Sequence, residues 1–208
     1  MIRLVALAAL LWAGSAFPQG PAKPAAAGTP AAVSQVCAAC HGADGNSVAP
    51  ANPKIAGQFS GYLYKQLADF QARTGRKPER DNAVMAGMTA ALSDADMKSL
   101  ASYYAGQTYK PAAARDKDLA AKGQRLFRGG NLASGVPACA GCHGPEGAGI
   151  PNLYPRIAGQ FSEYVDAQLK AFRAGTRAND SNGMMRGVAA RMSDEEIRAV
   201  AEYVAGLR

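Results

Sequence analysis

The chain is poor in the residues that most often carry chemistry: four Cys and two His among 208 residues, with aromatic side chains at only 7%. So few aromatics leave little to fill a large core, and any site must be built from the same handful of His and Cys. Beyond the first residues no long apolar run occurs, so nothing downstream of them can cross a membrane. Runs alternating between polar and apolar residues and bounded by turns are missing as well, which excludes a β-fold and makes the class all-α. Also absent is a block of one charge sign. Residues 31–111 hold eight Lys or Arg against six Asp or Glu, and residues 112–208 hold thirteen against ten, so the formal charge of +7 is spread out. No basic stripe is interleaved with aromatics, and nucleic acid is excluded as a partner.

The start of the chain does carry one apolar stretch. Arg3 supplies a positive charge, Leu4 to Ala13 the apolar run, and Gly14-Ser15-Ala16 the small residues of a cleavage site, so residues 1–16 read as a secretory signal peptide. A retained anchor is the competing reading; Pro18, Gly20 and Pro21 interrupt it before the ~20 apolar residues a membrane helix needs. Residues 17–32 are mostly Pro, Ala and Gly and read as a tether. The mature chain is expected in the periplasm.

What is present is a repeat. Cys37-Ala38-Ala39-Cys40-His41-Gly42 returns as Cys139-Ala140-Gly141-Cys142-His143-Gly144, and Pro53-Lys54-Ile55-Ala56-Gly57-Gln58-Phe59-Ser60 returns as Pro155-Arg156-Ile157-Ala158-Gly159-Gln160-Phe161-Ser162. After a loop that is shorter in the second copy, Met85 matches Met185, Ser93-Asp94 matches Ser193-Asp194, and Tyr103 matches Tyr203. Two domains follow, residues 33–110 and 111–208. In each, Ser60 or Ser162 is expected to cap a helix ended by Gly75 or Gly175, and Ser93 with Asp96 or Ser193 with Glu196 forms the capping box of a last helix. The second copy opens with a further helix over roughly Asp116 to Arg128, presenting Leu119, Leu126 and Phe127. The first has only Thr29 to Val36 in that place, so its opening helix is expected to be short or missing.

Each Cys-x-x-Cys-His is the attachment pattern of a c-type heme: two thiols one helical turn apart add to the porphyrin vinyl groups, and the adjacent imidazole binds the iron. Cys37, Cys40, Cys139 and Cys142 would make the covalent links and His41 and His143 the proximal ligands, which uses every Cys and His in the chain. Three other readings compete. A structural disulfide does not require the following His; a thioredoxin-like pair needs a βαβ setting; a zinc site needs four ligands, and the two Cys pairs lie in separate repeats. Two covalently bound heme c groups also account for such small, aromatic-poor domains, since a buried porphyrin supplies the centre of the core.

A low-spin electron carrier needs a second axial ligand in each half, and no His is left. Met88 aligns with Val188, Met97 with Ile197, Met184 with Val84 and Met192 with Leu92; Met85 and Met185 alone are Met in both copies. They are the candidate sixth ligands. Thioether sulfur favours ferrous iron and raises the potential. Pro53 and Pro155 each follow their His by twelve residues. A carbonyl there could take the imidazole Nδ1 hydrogen bond; the alternative is a proline that only stiffens a loop.

These motifs, together with Ala43-Asp44-Gly45-Asn46-Ser47 and Tyr154-Pro155-Arg156-Ile157-Ala158-Gly159-Gln160, make the chain resemble the diheme cytochrome c4 family over nearly its whole mature length. The resemblance implies two tandem class I cytochrome c-like domains related by pseudo-two-fold symmetry, axial pairs His41 with Met85 and His143 with Met185, a periplasmic setting and peripheral membrane association. It implies a respiratory electron carrier, not an enzyme. Such a carrier would accept electrons from a membrane quinol-oxidising complex or dehydrogenase and donate them to a terminal oxidase. The second half keeps the family-like Gly123-x-x-Leu126-Phe127 of the first helix and the first half does not. The alternatives are a heme enzyme, such as a diheme peroxidase or a thiosulfate dehydrogenase, and the electron-transfer subunit of a larger dehydrogenase. An enzyme would need an open iron or further catalytic groups.

Overall fold

The computed structural model describes residues 30–73 and 77–208. The expected signal peptide, most of the expected tether and the expected helix stop at Gly75 lie outside the described residues. In the first half a π-helical turn, Val33–Cys37, runs directly into α1 (Ala38–His41), followed by α2 (Ser60–Phe70), α3 (Ala83–Thr89) and α4 (Asp94–Ala105). The second half holds α5 (Lys117–Gly129), α6 (Ala140–His143), α7 (Ser162–Ala174), a 3₁₀ turn Ser181–Gly183, α8 (Met184–Ala189) and α9 (Asp194–Gly206). Among the described residues extended pairing is limited to isolated bridges.

The helix ends follow the sequence in most places. Both capping boxes form: the Ser93 hydroxyl accepts from Asp96 N and the Ser193 hydroxyl from Glu196 N, while each acid takes the serine N–H in return. Gly175 closes α7 in the left-handed conformation, φ 74°. Ser60 and Ser162, however, are the first residues inside α2 and α7, and Phe59 and Phe161 stand at the caps. The side-chain oxygens of Gln58 and Gln160 accept from the N–H of Phe59 and Phe161, the cap residues themselves, and neither helix start carries a side-chain cap.

Each half has its own core. In the second, Phe127 is fully buried with Leu126, Val136, Ile197, Val200 and Val204. α5 lies so close on α9 that a Cβ at Gly123 would fall 1.9 Å from the Ala199 carbonyl oxygen. In the first half Val33, Leu63, Leu100, Ala101 and Tyr104 form the core, and the short helical stretch ahead of Cys37 contributes Val33 to it with Ala32 packed alongside. The sequence of α4 matches that arrangement: where α9 has buried Ala199 under α5, α4 has exposed Ser99.

The halves pack through reciprocal contacts, as a pseudo-two-fold axis requires. Arg80 and Arg177 face each other in an antiparallel bridge, each with only 8% of its surface exposed. Arg80 donates to Gln66 of its own half and to Tyr164 and Gln168 of the other; Arg177 donates to Gln168 of its own half and to Tyr62 and Gln66 of the other. Each guanidinium also lies over a phenyl ring, Arg80 on Phe70 at 4.5 Å and Arg177 on Phe172 at 4.4 Å. Burial pushes the Tyr164 phenol up, but the two guanidiniums outweigh it and hold it below the ordinary value.

The connection between the halves is pinned along its length. Asn46 donates to Thr108 O at 2.9 Å and accepts from Lys110 N at 2.7 Å, the Tyr109 hydroxyl donates to Ala158 O, and Ala112 N donates to Gly159 O at 2.8 Å. Buried Glu202 then takes the N–H of Arg115 and of Asp116. Gly159, at φ 61°, could be no other residue, since a Cβ there would collide with the Tyr109 hydroxyl and Pro111.

Substituting Gly123 by Ala tests the α5–α9 contact. Alanine is favoured over glycine by ~1 kcal/mol inside a free helix, yet overpacking against backbone costs ~1–3 kcal/mol. We expect a lower denaturant midpoint for Gly123→Ala; a raised midpoint would show that the helices are not in such contact.

Candidate functional site

Both Cys-x-x-Cys-His segments form one tight turn of helix. Cys37 ends the π-helical turn and Cys40 and His41 lie on α1; Cys139 caps α6, which carries Cys142 and His143. A glycine at positive φ, Gly42 at 79° or Gly144 at 78°, turns the chain away immediately afterwards. All four thiols are free, which leaves the disulfide reading without support. Burial raises the thiol of Cys37, with the Tyr104 hydroxyl pulling the other way, and pushes Cys139 up to about 11. A nucleophilic dithiol needs a lowered thiol instead. Among the described residues no cluster of three or more His, Cys, Asp or Glu could hold a metal ion, so a zinc centre finds no donor set.

The two histidines are oriented alike. His41 Nδ1 lies 2.9 Å from Pro53 O, and His143 Nδ1 lies 3.0 Å from Pro155 O. A carbonyl can only accept, so the ring proton sits on Nδ1 and the lone pair is left on Nε2. Burial lowers both imidazoles, against the opposing pull of the proline carbonyls, and keeps them neutral at pH 7. Both prolines thus do more than stiffen a loop.

The methionines separate by environment. Met97 and Met192 are buried in the cores, at 1% and 4% exposure, while Met88 and Met184 are exposed. Met85 and Met185 are half-buried on α3 and α8, the short helices that pack against α2 and α7. The amide of Met85 is held by the Asn82 side chain at 2.9 Å, and that of the neighbouring Arg186 by Asp180 at 2.9 Å.

Two residues near the cysteines have no role assigned by the sequence, although Tyr154 belongs to a family-like motif. Tyr104 is buried beside Cys37, and its counterpart in the second half is Val204. Tyr154 stands edge-on to His143, ring centroids 6.1 Å apart, where the first half has Asn52. Neither is duplicated, so comparing the two copies could not single them out.

Paired free thiols on one turn, next to a neutral imidazole whose proton is already committed to a carbonyl, are the donor set that heme c requires. The residues fit that group. The cytochrome c family model matches residues 25–106 and 120–208. Cytochrome c4 of Thiocapsa roseopersicina is 50% identical over 174 residues, covering 83% of this chain and 87% of that protein. The chain belongs to the cytochrome c4 family. Its fold agrees with that of reduced recombinant cytochrome c4 from Pseudomonas stutzeri, at a TM-score of 0.79 and 42% identity, covering 88% of this chain and 100% of that one. A thiosulfate dehydrogenase electron acceptor from Stutzerimonas stutzeri is 41% identical over 194 residues, 92% of this chain and 84% of its own length.

As a member of the cytochrome c4 family the chain is an electron carrier and not an enzyme. Among the described residues no helix is long and apolar enough to cross a membrane.

With so few core aromatics, a cytochrome c4 fold is expected to need its cofactor to complete the two protein cores. Chain produced without heme attachment should show no cooperative thermal transition by circular dichroism. A sharp melt matching that of the heme-loaded protein would count against a heme-centred core.

Proposed function

We propose that this cytochrome c4 carries two hemes c, one linked to Cys37 and Cys40 and the other to Cys139 and Cys142, with axial pairs His41–Met85 and His143–Met185. The observation that carries the proposal is the duplicated turn in which each histidine already gives its Nδ1 proton to a proline carbonyl. Heme supplies the one-electron chemistry. The protein residues orient the imidazole, exclude water from it and provide a thioether on a separate helix. His41 with Met85 and His143 with Met185 would hold each iron and leave no place for exogenous ligands, and the group so held would supply electron transfer with little change in the residues around it.

The domains run over residues 33–110 and 111–208, preceded by a signal peptide at 1–16 and a tether at 17–32. Export places the protein in the periplasm, with peripheral association at the membrane surface. There it takes electrons from a quinol-oxidising complex or dehydrogenase and delivers them to a terminal oxidase. A second reading has its own support: the likeness to a thiosulfate dehydrogenase electron acceptor extends over 92% of the chain, so a periplasmic dehydrogenase is the alternative donor.

The ligand assignment is tested by carbon monoxide and cyanide. Two low-spin hemes that ignore both at neutral pH are expected in the wild type. Met85→Ala and Met185→Ala should each open one heme to carbon monoxide and lower its potential, since loss of the thioether removes the ligand that favours ferrous iron. Unchanged spectra in both variants would refute the assignment.

A further inference from the structure

The segments that orient the two histidines are tied to each other across the domain interface. The Gln160 side chain donates to Lys54 O at 2.8 Å and accepts from Lys54 N at 3.0 Å. Reciprocally, Gln58 donates to Arg156 O at 2.8 Å and accepts from Arg156 N at 3.0 Å. Lys54 and Arg156 immediately follow the prolines that hold the histidines. The Pro53–Lys54 peptide group is therefore bonded at both ends: its carbonyl takes the Nδ1 proton of His41, and its N–H gives to Gln160 of the other half. The Pro155–Arg156 group stands in the same way between His143 and Gln58.

A peptide group whose N–H donates is polarised and becomes a better acceptor at its oxygen. A better acceptor draws the Nδ1 proton further from the ring, makes Nε2 more electron-rich and favours ferric over ferrous iron. We propose that Gln58 and Gln160 are positioning residues that act in trans, each setting the imidazole hydrogen bond, and so the potential, of the heme in the opposite domain. This rests on the proposed ligation of the irons by His41 and His143. The crossing is what distinguishes it from ordinary interface packing: a change in domain 2 is read out at the first heme, and a change in domain 1 at the second.

The test uses the full-length, heme-loaded protein with ¹⁵N-labelled histidine. Because the chain holds two His, one per half, the ferrous protein gives two ring Nδ1–H signals after assignment. Gln160→Met, which fills similar space without the amide, should shift the His41 signal toward a weaker hydrogen bond and raise the potential of that heme, leaving the His143 signal in place. Gln58→Met should do the reverse. Gln160→Glu loses the donor to Lys54 O but keeps a stronger, charged acceptor for Lys54 N–H, so it should shift the His41 signal toward a stronger hydrogen bond and lower that potential, opposite in sign to Met, which also covers the case of a Met variant that does not fold. Signals that stay put, move together, or move in the half that carries the substitution would overturn the coupling. Wild-type protein without a c-type ferrous absorption band would instead overturn the heme attachment on which the coupling rests.

Discussion

An imidazole can offer one ring nitrogen to iron only if the proton is settled on the other, and in each half of this chain that proton is given to a proline carbonyl twelve residues away. Much of the surrounding structure serves to hold that carbonyl still. The helical turn with Cys37 or Cys139 brings the histidine to one side of the bond, and the Pro-x-Ile-x-Gly-Gln segment brings the acceptor to the other. The amide of Gly57 is fixed by Tyr104 O at 2.9 Å and that of Gly159 by Val204 O at 2.7 Å, so the last helix of each half anchors the acceptor segment. Burial then keeps the ring neutral, the state in which Nε2 can bind a metal.

The sequence reading reached the helical class, the two copies, the capping boxes and the proline carbonyls because each of these depends on a few residues close together or repeated. It reached the family for the same reason. Ser60 and Ser162 look like caps by local rules yet stand first inside α2 and α7. Arg80 and Arg177 carry no local signal of their role. Their spacing differs between the copies through the unequal loop, and a lone arginine in a polar loop reads as a solvated charge until the other half of the molecule covers it. Asn46 stood in a motif quoted only for its likeness to relatives, and its task of holding the connection near Thr108 and Lys110 is a contact no local pattern encodes.

The two halves are alike in plan and unlike in detail. The second is roofed by α5, and the residue beneath it, Ala199, is nearly fully covered; the first meets solvent there through Ser99. Near the cysteines the first half has a buried tyrosine, Tyr104, with its hydroxyl toward Cys37, and the second has Tyr154 edge-on to His143. Different polar neighbours and different depth give the two Cys-x-x-Cys-His sites unequal electrostatic surroundings, so hemes attached there as proposed would differ in potential.

The stretch between the halves is fastened to both of them, from Asn46 and Ala158 through Gly159 to Glu202. A strap held at so many points ties the two Cys-x-x-Cys-His turns into one frame. With two hemes attached as proposed, the same bonds would set the separation between them.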